Sequence, residues 1–152
     1  MSDAYAFQRF SDAVQAFRAL EDALRSGAGS VDGRKIDAVL IDLQAAIPGL
    51  DGEDLGRALV FKAYATHWRY LTELDKKNIF EVIEEGVDPR LKVALADAKQ
   101  GEQLLTDAGD RAWAASTIQQ LEDTAQVLFI DPVENKAIRR IDAQLVAFGF
   151  DL

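Results

Sequence analysis

A chain of 152 residues with 49% apolar side chains can bury one core and is too short for two ordinary domains, so a single domain over 1–152 is expected. A formal net charge of −9 and the absence of cysteine work against nucleic acid and anionic membrane surfaces as partners. They also rule out disulfides, thiolate nucleophiles and thiolate metal sites. A basic protein is the partner class that the charge favours.

The chain opens MSDAYAFQRFSDAVQAF, with acids where a secretory leader carries basic residues, and no apolar run reaches the ~18–20 residues that span a bilayer. A cytoplasmic protein is the expectation. Phe7, Phe10, Val14, Phe17, Leu20 and Leu24 recur at three and four, the stripe of an amphipathic helix, and Arg25-Ser26-Gly27 closes it. After the loop 27–33, Ile36, Val39, Leu40, Leu43 and Ile47 form the inner face of a second helix that stops at IPGLD. A third runs from DGED at 51–54 to about Glu73, with Asp51 as its cap and Glu53 and Asp54 at the positive end of the helix dipole.

A shorter helix carries Ile79, Phe80 and Ile83 to Gly86. Asp88-Pro89 then restarts the chain, since aspartate caps and proline suits the first helical position. Leu91, Leu95, Ala98, Leu104 and Leu105 mark the next helix, which ends at DAGD before another from about Asp110 to Ile130. Asp131-Pro132-Val133-Glu134 combines a cap residue, an N1 proline and a glutamate able to close a capping box, and the last helix uses Ile138, Ile141, Leu145 and Phe148.

Alternation at period two is nearly absent. Pro48, Pro89 and Pro132 are separated by 41 and 43 residues, and each interval reads helix, loop, helix, proline. The expected fold is therefore all-α, with about seven helices in antiparallel hairpins. Units 3–48, 49–89 and 90–132 plus a terminal helix 133–148 would form either a short solenoid-like array or an irregular bundle.

The stretch FKAYATHWRYL, 61–71, holds the only histidine and one of two tryptophans. On a helical wheel Leu59, Val60, Phe61, Ala63, Tyr64, His67, Trp68, Tyr70, Leu71 and Leu74 share an arc of about 200°, with Lys62, Arg69 and Glu73 opposite as a solvated face. So wide an arc predicts a central helix covered on two sides, with His67 buried, neutral and bonded to a carbonyl, hydroxyl or carboxylate of a neighbour. If the neighbours leave part of the arc open, Tyr64, His67, Trp68 and Tyr70 line a groove, with Arg57 at its rim.

No nucleophile and base, HExxH, EF-hand or P-loop spacing is present, so no catalytic residue, metal or cofactor is expected. Trp113, flanked by Ala112, Ala114 and Ala115, reads as core. EVIEEGVD concentrates acid at Glu81, Glu84, Glu85 and Asp88, a contact surface for a basic partner if it is more than a solvated helix end. Phe150 and Leu152 either fold back around a Gly149 cap or present apolar side chains to a partner. The functional expectation is a non-catalytic protein-interaction module, an adaptor, chaperone-like or inhibitor (immunity-type) protein, with an aromatic groove and an acidic rim. Two alternatives remain: a small-molecule or cofactor binder, or an enzyme, with a pocket around His67; and a self-assembling structural protein in which a second copy covers the apolar face.

Overall fold

The computed structural model describes residues 2–25, 32–74 and 88–129. Among them lie five α-helices and no strand: α1 (Ala4–Arg25), α2 (Gly33–Ala46), α3 (Gly52–Leu74), α4 (Pro89–Leu104) and α5 (Ala108–Phe129), with a 3-10 turn at Ile47–Gly49. The all-α class therefore stands, while the count of about seven is not matched. The expected helices around 79–86 and 133–148 fall outside the described residues.

Short acidic side chains start the helices by satisfying amide groups that have no partner within the first turn. Asp32 accepts the Arg34 amide at 3.0 Å and Asp88 the Arg90 amide at 2.9 Å, the latter beside Pro89. Asp107 accepts the Asp110 amide at 2.9 Å. At α3 the Asp51 carbonyl accepts the first helical bond from Leu55, the Asp51 carboxylate accepts the Ser2 hydroxyl, and Gly52 takes φ +54, a left-handed turn open to glycine at little cost.

Side-chain bonds set the helix directions. Arg9 to Asp42 runs α2 antiparallel to α1. Lys62 to Asp97 and Glu73 to Arg90 run α4 antiparallel to α3, and Lys99 to Glu122 runs α5 antiparallel to α4. Consequently α1, α3 and α5 point the same way. Ser2 reaches Asp54 and Tyr64 reaches Glu21 between α1 and α3, while Arg57 reaches Asp110 and His67 reaches Thr124 between α3 and α5.

The central position of α3 follows from its sequence. Ala58, Leu59, Val60, Phe61, Ala63 and Ala65 are all buried, a girdle on more than one face because α1, α2, α4 and α5 all pack on this helix. One core cluster joins Phe10, Phe17, Ile36, Leu43 and Phe61; a second joins Ala63, Tyr70, Leu91, Ala98 and Leu121. Each large apolar side chain so enclosed contributes about 1.5–3 kcal/mol.

The polar side of α3 corrects the wheel. Lys62, Arg69 and Glu73 are not a solvated face: Lys62 meets Asp97 of α4 at 3.0 Å, Arg69 meets Asp37 of α2 at 2.8 Å, and Glu73 binds Arg90 at the start of α4. A helix surrounded by neighbours turns its charged residues toward them as well, and a single-helix wheel carries no information about those neighbours.

Candidate functional site

Between α1 and α5, with α3 as its floor, lies a cleft of about 630 Å3. Its residues come from sequence spacings that serve the core and the cleft together. On α1, Ala6, Phe10, Ala13 and Phe17 are buried against the body of the protein, while Phe7, Ser11, Val14 and Arg18, each one residue further on, line the cleft wall together with Glu21. The stripe on this helix is thus two residues wide, and Phe10 serves both faces.

Phe61 and Tyr64 form the floor and Trp113 the opposite wall. The rings pack edge to face or tilted, in the offset arrangements that aromatic quadrupoles favour. Phe17 lies 5.5 Å from Phe61, Phe61 lies 6.0 Å from Trp113, and Tyr64 lies 6.1 Å from Trp113 and 6.4 Å from Trp68. At the mouth Phe7 is 45% exposed.

Charged groups stand at the two ends. At one, Arg57 donates to Asp54 at 2.8 Å and to Asp110 at 3.1 Å; the Asp54 bond, then that to Asp110, holds its guanidinium above its ordinary range. This end also gathers the N-termini of the three parallel helices, and Glu53 ties α3 to the α4–α5 link by accepting the Thr106 amide and hydroxyl. At the other end the Tyr64 hydroxyl donates to Glu21 at 2.8 Å, with exposed Arg18 one turn away.

The residues singled out from sequence separate in space. Tyr64 and Arg57 line the cleft. Trp68 is half-buried beside Tyr64, outside the lining. His67 is 6% exposed, its Nε2 2.8 Å from the Thr124 hydroxyl, and burial pushes its pKa below the ordinary value. Tyr70 is buried among α4 and α5 residues. Asp88 caps α4 and pairs with Arg90. Glu81, Glu84, Glu85, Phe150 and Leu152 lie outside the described residues.

Sequence reasoning missed Phe7, Phe10, Val14, Glu21 and Asp110 as cleft residues. A usable signal existed in α1, where Phe7 and Val14 sit about 100° from the alanines Ala6 and Ala13 on the wheel, yet a wide core stripe and a groove wall produce the same periodicity.

Among the described residues no three His, Asp or Glu side chains gather to hold a metal ion, and none of the described helices is long and apolar enough to cross a membrane. The cleft offers aromatic surface, a tyrosine–carboxylate pair and a pinned guanidinium, which together suit recognition through apolar anchors with polar orientation at the ends. Comparison with protein-family models, curated proteins and solved structures finds no match to this chain.

Proposed function

We propose that this chain is a non-catalytic protein-interaction module of the adaptor, chaperone-like or inhibitor kind, which takes an apolar, amphipathic segment of a protein partner into the cleft between α1, α3 and α5. The observation that carries this reading is the open aromatic lining, with Phe7 exposed at the mouth and Phe61, Tyr64 and Trp113 behind it. A few anchor side chains carry most of the energy at interfaces, and tryptophan and tyrosine are enriched among them because they bury large area at small entropic cost. The alternation of α1, α3 and α5 on one side with α2 and α4 on the other supports a stacked-hairpin arrangement, whose same-direction helices form a continuous recognition face. The net charge of −9 favours a basic partner and fast, salt-sensitive association.

A second reading has its own support: a cleft of about 630 Å3 falls within the ~300–1,000 Å3 range of small-molecule sites. Recovery of the tagged chain from its native cells, at low and at moderate salt, separates the two. A near-stoichiometric protein that is retained by the parent chain and lost with Phe7→Glu supports the interaction module. A small molecule released on denaturation, with no accompanying protein, overturns it.

A further inference from the structure

Resting on the proposed function, which makes the α1/α3/α5 cleft the partner site, we infer that the segment recognised there is an amphipathic helix whose apolar stripe ends in an aspartate or glutamate, and that this carboxylate seats on Arg18.

The charges of the lining single out Arg18. The charged side chains that line the cleft are Arg18, Glu21, Arg57 and Asp110. All but the first are already bonded across the cleft: Arg57 donates to Asp54 at 2.8 Å and to Asp110 at 3.1 Å, and Glu21 accepts the Tyr64 hydroxyl at 2.8 Å. Arg18 is exposed and has no hydrogen-bond or ion-pair partner among the described residues. A segment laid over the cleft takes this guanidinium out of water, a loss that a carboxylate offsets and an apolar side chain does not. A lysine or arginine brought to the same place meets like charge, so Arg18 rejects as well as selects.

Spacing gives the form of the segment. Phe7, Ser11, Val14 and Arg18 follow one another at three and four along the α1 wall, a ridge of about three turns and about 16 Å at ~1.5 Å per residue. No strand lies among the described residues, so they offer no sheet edge for an extended segment to join. A helix is the form that sets side chains of matching period along such a ridge. Its apolar residues then recur at three and four against Phe7, Val14, Phe61 and Trp113, and its carboxylate falls about eleven residues, three turns, from the anchor that meets Phe7.

This local acid is compatible with a partner that is basic elsewhere. The field of the whole chain, with its net charge of −9, acts at a distance and draws positive charge. Arg18 acts on contact, at one position of the docked helix.

The test is selection of randomised phage-displayed peptides, about sixteen residues long so that a helix spans the ridge with a turn to spare, on the parent chain and on Phe7→Glu and Arg18→Glu. Both replaced side chains are exposed, and circular dichroism checks that the variants stay folded. Peptides retained by the parent and lost on Phe7→Glu are expected to share an aspartate or glutamate about three turns from a large apolar residue. Arg18→Glu should bind those peptides about fivefold or more weakly and should itself select lysine or arginine at the acidic position. Phe7-dependent peptides with no acid there, or the same residues selected by Arg18→Glu, would overturn the pairing with Arg18 and leave the cleft as the partner site. Retention of no Phe7-dependent peptide would overturn both together.

Discussion

Gly56 of α3 and Gly101 of α4 face each other where their backbones cross. A Cβ on Gly56 would lie 2.9 Å from the Gly101 carbonyl oxygen, and one on Gly101 only 2.6 Å from the Gly56 carbonyl oxygen and 2.8 Å from Val60 Cγ2. Glycine at both positions is what lets α4 pack so closely on α3, which then carries the cleft on its other side.

Gly101→Ala gains up to about 1 kcal/mol of helix propensity and loses more to the clash with backbone, which cannot swing aside. Overpacking costs about 1–3 kcal/mol or more. A net destabilisation of about 1–2 kcal/mol is expected, read as a lower urea midpoint at unchanged slope. Because the two glycines share one crossing, Gly56→Ala added to Gly101→Ala costs less than the sum of the single changes.

His67 makes stability depend on pH. Its folded pKa lies below the ordinary 6.5 because burial disfavours the imidazolium. Between the two values the unfolded chain binds more protons, so the contribution is complete above about pH 6.5 and is lost as pH falls below it, by at most about 1.4 kcal/mol per pH unit. Urea titrations from pH 7 down to 5 should show this slope in the parent chain and a flatter one in His67→Gln. Glu73, whose carboxyl is held below its ordinary 4.5 first by Arg90, acts in the same sense, the unfolded chain again binding more protons, but at lower pH. Its contribution is present above about pH 4.5 and is lost as pH falls below it, so the two windows separate.

Lys62 and Asp97 join α3 to α4 with side chains only 20% and 18% exposed, more enclosed than the surface pairs that contribute about 0.2–1 kcal/mol. A double-mutant cycle with Lys62→Met and Asp97→Asn should give a coupling near or slightly above the top of that range, weakening little between low and moderate salt. A coupling near zero would mean that water replaces the bond without cost.

Much of this fold is legible from three- and four-residue spacing. Phe10, Phe17, Ile36, Leu43, Leu91 and Ala98 are core because a helix with such a stripe has one way to bury it, and Asp88-Pro89 marks a helix start by local chemistry alone. The crossing at Gly56 and Gly101 was not legible, since a glycine within a helix signals close approach only when the opposing residue is known. The site was legible in part. Tyr64 and Arg57 carry marks of a groove edge, whereas Phe7 and Val14 were absorbed into the core stripe of α1, and the burial of Tyr70 depends on where α4 lies. Period describes one helix at a time, and a cleft belongs to three.

Trp113 closes the cleft against Phe61 and Tyr64. Trp113→Ala removes two aromatic pairings of about 0.5–1.5 kcal/mol each, together with half-buried indole surface. A loss of about 2–4 kcal/mol in stability is expected by chemical denaturation, with quenching and red shift of the remaining Trp68 emission as the cleft opens.

The central claim is that the cleft is the recognition surface, and the most direct test is the affinity of the recovered partner for two charge-bearing variants of exposed apolar residues. Phe7→Glu alters the cleft mouth, where Phe7 is 45% exposed; Ile41→Glu alters α2 away from it, where Ile41 is 66% exposed, so neither should unfold the chain. Titration of the purified partner should give about 30-fold or weaker binding for Phe7→Glu, the loss typical of an anchor worth ~2 kcal/mol, and unchanged binding for Ile41→Glu. Unchanged binding for Phe7→Glu, or a loss confined to Ile41→Glu, would place recognition on another face and contradict the account.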